Sequence, residues 1–180
     1  MDEIETRAGL VQVRRATPQN VDEVISIICE VATWLHSRGI DQWWPTERFE
    51  RTKPWIHRAI RGELFLAYLA GDPIATLTIQ WEDASTWGNR PPDAGYIHRL
   101  AVRRALAGND VGRALLKWAE GVIKADGKSF ARLDCWGKNE KLCAYYQSAG
   151  YTLVQETKVY GYDTALFEKY LGDSLHRAGR

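Results

Sequence analysis

The sequence lacks the features that mark several large classes of protein. Its 180 residues carry 24 Lys and Arg against 23 Asp and Glu, so there is no excess charge of one sign. A dedicated DNA-binding domain is usually strongly basic, and we therefore expect no DNA partner. No apolar run approaches the roughly 20 residues that a transmembrane helix requires, so we expect no membrane partner either.

Cysteine is also scarce, and the residues present show no metal-binding pattern. The chain has an odd number of cysteines, namely Cys29, Cys135 and Cys143. They form no CxxC pair, and no histidine lies near them at the spacing of metal ligands. We expect reduced thiols in the core and no bound metal.

The first ten residues, MDEIETRAGL, are charged where a secretory signal has an apolar segment. We therefore expect the protein to be cytoplasmic.

What the chain does have is the composition of a folded domain. Hydrophobic residues account for 45% of the sequence. A chain of this length removes roughly 70% of its unfolded surface from water without disulfides or metals. No repeat, linker or low-complexity tract divides it. We predict one domain over residues 10–171, with tails at 1–9 and 172–180, and the oligomeric state stays open.

Strand-like and helix-like patterns alternate along the chain. This alternation predicts an α/β (α+β) mixed sheet with helices on it, whose central parallel strands are joined by right-handed crossovers. Ligands of such sheets bind near the carboxyl ends of strands, beside helix amino termini. The predicted elements are a strand at 10–16, helices at 18–39 and 48–61, strands at 64–69 and 74–81, a surface loop at 82–95, a strand at 96–102, a helix at 111–125, a strand at 131–136, a helix at 139–148, and strands at 152–156 and 165–171.

Two glycines mark the first segment that could carry chemistry. The run RRALAGNDVGRALL at 103–116 joins a predicted strand to a predicted helix, with glycines at 108 and 112. Amide groups at a helix start can hold a pyrophosphate, and glycines let a ligand approach the backbone. A plain strand-to-helix turn has the same appearance, so the spacing alone leaves both interpretations open.

The second segment combines a helix cap, a tyrosine and a closing glycine. Asn139 is suited to cap the helix, Tyr146 follows two turns later, and Gly150 ends the helix before Tyr151. Such a tyrosine can simply pack in the core. A phenol that faces a cleft can also protonate a leaving group as a general acid.

Together these segments resemble a known enzyme family. The runs YIHRLAVRRALAGNDVGRALLKWAE and RLDCWGKNEKLCAYYQSAGY are similar to the acyl-CoA-binding loop and the Asn-to-Tyr helix of the GNAT superfamily of N-acetyltransferases. A less specific resemblance extends over most of residues 10–160. It implies a GNAT-like splayed central sheet flanked by helices, with acyl-CoA held between two diverging strands.

The resemblance also implies roles for individual residues. The strand backbone at Leu100, Ala101 and Val102 would bind the pantetheine arm, and Asn139 would contact the cofactor side of the cleft. Tyr146 would protonate the departing thiolate after direct attack by an amine, with no covalent acyl-enzyme. The pyrophosphate would be bound by the loop residues Gly108, Asn109, Asp110, Val111, Gly112 and Arg113.

The loop departs from the family pattern at two positions. Ala107 stands where the family has Gln or Arg, and Asp110 stands where it has its middle glycine. A carboxylate about 4 Å from a phosphate is repelled by about 1 kcal/mol in water and by about 4 kcal/mol at an effective dielectric constant of 20. Asp110 can instead cap the following helix. Arg103, Arg104 and Arg113 could offset its charge.

This departure motivates a second hypothesis about the acyl donor. A poor pyrophosphate loop would suit an aminoacyl-tRNA or a carrier-protein thioester, so tRNA stays open as a partner beside the acetyl-CoA or other acyl-CoA that the resemblance implies. Basic residues near the predicted site could follow a phosphate backbone, although solvated helix faces give similar clusters. These residues are Arg99, Arg103, Arg104, Arg113, Lys117, Lys124, Lys128 and Arg132.

The general base and the acceptor pocket are less well specified. His98 could titrate near neutral pH on the strand that lines the cleft, although a strand histidine is commonly structural. Glu82 and Asp83 follow the preceding strand and are the other candidate bases. Aromatic rings would suit an amine with a planar or apolar body, unless they serve packing alone. The predicted aromatic wall comprises Trp34, Trp43, Trp44 and Trp87.

Three functional hypotheses follow from this reading of the sequence. The first is an acetyl-CoA-dependent N-acyltransferase that acts on a primary amine of a small molecule or peptide. The second keeps amide formation but uses a donor other than CoA. The third is a degenerate domain of the same fold that binds a ligand or partner without catalysis.

Overall fold

The computed structural model of the protein describes residues 1–40 and 52–172. The elements within them are β1 (Asp2–Thr6), β2 (Gly9–Arg15), α1 (Val21–Ser37), α2 (Thr52–Ile60), β3 (Leu64–Leu69), β4 (Asp72–Gln80), α3 (Ala84–Trp87), β5 (Ala94–Val102), α4 (Val111–Ala125), β6 (Phe130–Trp136), α5 (Glu140–Ser148), β7 (Thr152–Val159) and β8 (Tyr162–Tyr170). The strands form one sheet in the order β1-β2-β3-β4-β5-β6-β8-β7. The predicted mixed α/β fold is confirmed.

The chain divides into two compact units. The first comprises Met1–Gln80 and Ile97–Trp118, and the second comprises Trp81–Tyr96 and Ala119–Arg180. Each unit contains an apolar cluster of its own. Among the residues that the structure describes, no helix has the length and apolar content that crossing a membrane requires.

In the first unit, helices α1 and α2 pack with β3 around one apolar cluster. Helix α1 follows a turn of 3-10 helix at Pro18–Asn20 and ends before Gly39, which adopts a φ of 68°. The predicted helix is thereby confirmed. Helix α2 ends before Gly62, as predicted, while residues 48–51 of the predicted helix lie outside the described part of the chain. The buried residues of α1 are Val21, Val24, Ile27, Ile28, Ala32 and Leu35.

The first residues of the chain, which we expected to form a tail, form strand β1. Ile4 pairs with Val11 of β2 in an antiparallel register. Gly9 supplies a φ of 122° at the turn, and Thr6 Oγ1 donates a hydrogen bond to the Gly9 carbonyl oxygen at 2.8 Å. Because Ile4 is the strand's only apolar residue, the sequence shows no alternation there that would indicate a strand.

In the second unit, β8 lies between β6 and β7 and pairs antiparallel with both. The predicted last strand is therefore confirmed, and both β7 and β8 are longer than predicted. The pairing of β7 shifts between Leu153 and Gln155, which leaves Val154 without a partner residue in β8. Most side chains of β7 are exposed, as befits the outermost strand of the sheet.

The surface loop predicted at 82–95 contains the short helix α3, so that prediction is wrong in part. The Asp83 carboxylate accepts a hydrogen bond from the Thr86 amide at 3.2 Å and caps this helix. A helix of four residues is too short to show a periodic pattern in the sequence. Trp87 ends the helix and is only 4% exposed. It packs in the apolar cluster of the second unit with Ala94, Tyr96 and Leu166.

Candidate active site

Helix α1 holds the turn that follows strand β5. The Glu30 carboxylate accepts one hydrogen bond from Arg103 Nη1 through Oε2 at 2.6 Å, and another from the Arg104 amide through Oε1 at 2.8 Å. Arg103 also donates to Ser26 Oγ at 3.1 Å and to the Pro73 carbonyl oxygen at 2.8 Å. The Arg103 guanidinium thus binds Glu30, Ser26 and the Pro73 carbonyl oxygen. We had expected it to offset the charge of Asp110 in the loop.

Trp34, predicted to line the acceptor pocket, contacts the same turn. The guanidinium carbon of Arg104 lies 3.7 Å from the centroid of the Trp34 ring, and that of Arg38 lies 5.9 Å from it. Both distances are within the range of cation–π attraction. The structure thereby gives Trp34 an intramolecular contact that sequence reasoning missed, and its contact with an acceptor stays a prediction.

The predicted phosphate loop presents backbone amides at the start of helix α4. The first backbone hydrogen bond of the helix runs from the Ala114 amide to the Asp110 carbonyl oxygen at 3.0 Å. The amides of Val111 and Gly112 precede that bond and have no intrahelical acceptor, which is the arrangement that binds anions at helix amino termini. Gly108 has a φ of 83°, and a Cβ there would meet no atom within 4 Å. The backbone is therefore open to close approach by a ligand.

Asp110 adopts the backbone conformation that favours glycine. Its φ is 63°, in the left-handed region where glycine is the least strained residue. This geometry accounts for the glycine that the resemblance places at this position. The Asp110 carboxylate lies 4.0 Å from Arg113 Nε, and both side chains are exposed. A surface pair at that separation offsets the charge only weakly.

The end of strand β5 combines a buried residue with an irregular backbone. Ala101 is buried in the core of the first unit, whereas Leu100 and Val102 are half-buried. Arg99 has a φ of 52°, and its guanidinium carbon lies 5.3 Å from the centroid of the Trp55 ring on α2. Such backbone strain is often found at functional sites. The contacts predicted between this stretch and a pantetheine arm stay predictions.

His98, a candidate base, is half-buried on strand β5. Its carbonyl oxygen accepts a hydrogen bond from Thr78 Oγ1 at 3.3 Å, which ties β5 to β4 at this residue. Glu82, another candidate base, is exposed in the second unit. The proton-accepting role of each residue stays a prediction.

In the second unit, helix α5 has the predicted cap at each end. Asn139 Oδ1 accepts a hydrogen bond from the Leu142 amide at 3.2 Å at the start of the helix. At the other end, the Tyr151 amide donates to the Tyr146 carbonyl oxygen at 3.1 Å, and the Gly150 amide donates to that of Gln147 at 2.9 Å. Gly150 has a φ of 90°. These features define a Schellman motif, whose usual apolar contact joins the side chains of Tyr146 and Tyr151 here.

The Tyr146 ring is clamped by neighbouring aromatic residues. Its centroid lies 6.2 Å from that of Tyr151, 5.8 Å from that of Phe167 and 5.6 Å from that of Tyr145. The side chain is 8% exposed, so a small part of it reaches the surface. Burial raises the pKa of the Tyr146 phenol above its ordinary value, and the nearby Cys135 group raises it further. The phenol therefore holds its proton at neutral pH.

Two thiols lie close to this tyrosine. The Sγ atoms of Cys135 on β6 and Cys143 on α5 are 3.7 Å apart, and both cysteines are free. Cys143 is one turn before Tyr146 on the same helix. Burial raises the pKa of the Cys135 thiol, and the neighbouring Cys143 raises it further. The Cys135 thiol is thus protonated at neutral pH. Cys135 is buried, as expected of a core cysteine, whereas Cys29 and Cys143 are half-buried.

Trp87, another tryptophan of the predicted aromatic wall, belongs to the second unit. Its side chain is buried, with the guanidinium carbon of Arg132 5.5 Å from the ring centroid, and its contact with an acceptor stays a prediction. Its burial depends on residues that are distant in sequence, such as Leu166, so no local pattern predicts it. Trp43 and Trp44 lie outside the residues that the structure describes.

Arg132, predicted as one of the basic residues that could follow a phosphate backbone, is buried in the second unit. Its side chain is 5% exposed. Nε donates to Glu168 at 2.6 Å, and Nη1 donates to the Tyr96 hydroxyl at 3.0 Å and lies 3.2 Å from an Asp93 oxygen. The buried guanidinium is thus paired with two half-buried carboxylates. Arg103 is paired with Glu30 in the same manner. Two of the basic residues predicted to follow a nucleic acid backbone are therefore already paired with carboxylates.

The comparison with known sequences identifies a family. The family model described as Acetyltransferase (GNAT) family matches residues 28–151 of the chain. The chain is also 28% identical over 143 residues to the uncharacterized N-acetyltransferase YesJ of Bacillus subtilis (strain 168). That alignment covers 76% of this chain and 78% of YesJ.

Solved structures share the fold. An acetyltransferase of the GNAT family from Listeria monocytogenes 4b F2365 superposes with a TM-score of 0.74 at 24% identity, over 94% of this chain and 99% of that chain. The PaiA N-acetyltransferase from Thermoplasma acidophilum, solved in complex with coenzyme A, gives a TM-score of 0.71 at 17% identity, over 89% of this chain and 98% of that chain. At these identities the likeness shows that the fold is the same.

Proposed function

Since the chain belongs to the Acetyltransferase (GNAT) family and is an acyltransferase, we propose that it transfers an acetyl group from acetyl-CoA to a primary amine of a small molecule or peptide. The relative YesJ, which is named an N-acetyltransferase, supports transfer to nitrogen. The PaiA structure, which contains coenzyme A, supports a CoA donor. The family match also disfavours the hypothesis of a non-catalytic binding domain.

The loop of the first unit fits the proposed donor. The Val111 and Gly112 amides lack intrahelical acceptors, and the space above Gly108 is open. Backbone amides at a helix start can hold a pyrophosphate, and the amides of Val111 and Gly112 would do so here beside the Asp110 carboxylate. Acetyl-CoA, held there, would supply a thioester that is already activated toward attack by an amine.

Tyr146 carries the proposal for the chemical step. As the amine nitrogen bonds to the carbonyl carbon and the C–S bond breaks, the Tyr146 hydroxyl gives its proton to the departing sulfur. The proton lost by the amine passes to His98, to Glu82 or to water. The support for this acid is the set of three neighbouring aromatic rings, which holds a protonated phenol in one place before transfer.

Replacing Tyr146 tests this assignment. We expect Tyr146→Phe to lower kcat by roughly 100-fold or more, because general acids contribute roughly 10²–10⁴-fold, while the Kd for CoA in calorimetric titration stays within about twofold of wild type. Because the pKa of Tyr146 is raised, the loss should be the same from about pH 6 to about pH 9. Tyr145→Phe removes the neighbouring phenol of the same helix and serves as the control. Unchanged turnover in Tyr146→Phe would refute the acid role.

A donor comparison tests the activity itself. The protein is incubated with labelled acetyl-CoA and, separately, with charged tRNA, each with a panel of primary amines. We expect transfer from acetyl-CoA alone. Transfer from charged tRNA without transfer from acetyl-CoA would overturn the proposed donor, and transfer from neither donor to any amine would count against the enzyme assignment.

A further inference from the structure

Glu30 links helix α1 to the start of the loop that we assign to the acyl donor. Its two carboxylate oxygens accept hydrogen bonds from consecutive residues, the side chain of Arg103 and the backbone amide of Arg104. Hydrogen bonds that an ionised carboxylate accepts are stronger and shorter than bonds between neutral groups. A backbone amide held by a side chain also fixes the direction in which the chain leaves strand β5.

The face of α1 that carries Glu30 makes two further contacts with this turn. Ser26 and Trp34 lie one helical turn before and after Glu30, on the same face of the helix. The Ser26 hydroxyl accepts from Arg103, and the Trp34 ring stacks against the Arg104 guanidinium at 3.7 Å. Residues on three successive turns of α1 therefore contact two successive residues of the loop.

The rest of the loop has little regular structure with which to hold itself. After the 3-10 helix at Arg104–Leu106, Gly108 and Asp110 both adopt positive φ values. The loop makes one backbone turn bond, from the Asn109 amide to the Leu106 carbonyl oxygen at 3.2 Å, and helical hydrogen bonding begins at the Ala114 amide. The position of the Val111 and Gly112 amides is thus set from two ends, by α4 and by the residues that Glu30 holds.

We propose that Glu30 is a positioning residue that sets the affinity for the acyl donor by holding the Arg103–Arg104 turn. This inference rests on the proposed use of the loop as the acyl-CoA site. Glu30 itself contacts no reacting atom. Loss of its carboxylate should therefore weaken donor binding and leave the chemical step at saturating donor nearly unchanged.

The test compares Glu30→Ala and Glu30→Gln with a matched control on the same helix. Glu23 lies two turns before Glu30, and its carboxylate accepts a hydrogen bond from the Tyr68 hydroxyl at 2.6 Å, away from the loop. Glu23→Gln thus removes a comparable carboxylate contact of α1 from the same unit. Each variant is measured for its Kd for CoA by calorimetry, and for KM of acetyl-CoA and kcat with a reactive amine.

We expect Glu30→Ala to raise the Kd for CoA and the KM for acetyl-CoA by about tenfold, with kcat within about twofold of wild type. Glu30→Gln keeps an oxygen for the Arg104 amide but loses the charge, so its effect should be intermediate. Glu23→Gln should change neither donor constant. Amide hydrogen exchange in free Glu30→Ala should be faster across residues 103–113 than in the wild type.

The outcomes separate this inference from the proposed function. If the wild type binds acetyl-CoA and both Glu30 variants bind it equally well or more tightly, the positioning role is overturned while the proposed function stands. The same holds if Glu23→Gln weakens donor binding as much as Glu30→Ala does. If the wild type binds neither CoA nor acetyl-CoA, the proposed function and this inference both fail.

Discussion

At the scale of single residues, Asp110 combines a left-handed backbone with a charge that would repel a bound phosphate. The residue has a φ of 63° and lies directly before the helix start whose amides suit a phosphate. Asparagine and aspartate tolerate the left-handed region better than other non-glycine residues. The backbone therefore accepts Asp110, and the cost of this residue is expected in ligand binding.

Two substitutions separate the charge of Asp110 from its backbone strain. Asp110→Asn keeps a similar shape and removes the charge, whereas Asp110→Gly removes both the charge and the strain. If the carboxylate faces the pyrophosphate, each variant should tighten CoA binding by about fivefold, which corresponds to about 1 kcal/mol of relieved repulsion. Calorimetric titration at low salt measures the change. Equal affinities in the wild type and Asp110→Asn would mean that the carboxylate points away from the ligand.

At the scale of secondary-structure elements, the end of helix α5 determines how its tyrosine is held. Gly150 allows the chain to reverse, and this reversal brings Tyr151 against Tyr146. The ammonium of Lys169 on β8 donates to the Ala149 carbonyl oxygen at 3.0 Å and to Glu120 at 2.7 Å. The helix end is thus tied to the sheet and to α4 within the same unit.

Replacing two glycines of the second unit should have opposite effects on stability. Gly150→Ala forces a methyl group onto a φ of 90° and should lower the free energy of unfolding by roughly 1–2 kcal/mol. Gly121→Ala, inside α4, meets no atom within 4 Å and should raise it by roughly 0.5–1 kcal/mol. Thermal unfolding measures both, with about 2–4 °C expected per kcal/mol. A Gly150→Ala protein as stable as Gly121→Ala would contradict the strain at the helix end.

At the scale of the whole molecule, the sequence predicted elements with strong periodicity and missed features that depend on distant contacts. Helix α4 has the predicted bounds, 111–125, because its apolar face and flanking residues are both clear. The hydrogen bond from Arg103 to Glu30 joins residues that are 73 positions apart, and no local sequence pattern predicts such a contact. The same reason accounts for the buried Trp87. The roles of Tyr146 and Asn139 came from family resemblance, since spacing alone also fits a plain capped helix.

The charge balance of the whole chain gives a prediction about solubility. The formal net charge is +1 at pH 7, and the sequence pI is about 7.7. Molecules without net charge repel one another least. We therefore expect solubility at low salt to be lowest near pH 7.7 and to rise toward about pH 6 and about pH 9. Precipitation by polyethylene glycol across this pH range measures the solubility. A solubility that only rises or only falls across the range would contradict this prediction.

The shifted pairing of strand β7 affects what can happen at that edge of the sheet. An outermost strand offers unused backbone groups to any further strand, including one from a misfolded chain. Val154 interrupts the regular register here, and Glu156 and Lys158 place charges along the same edge. A bulge and charged side chains are common ways in which natural proteins discourage such addition. Growth into fibrillar aggregates is accordingly disfavoured at this strand.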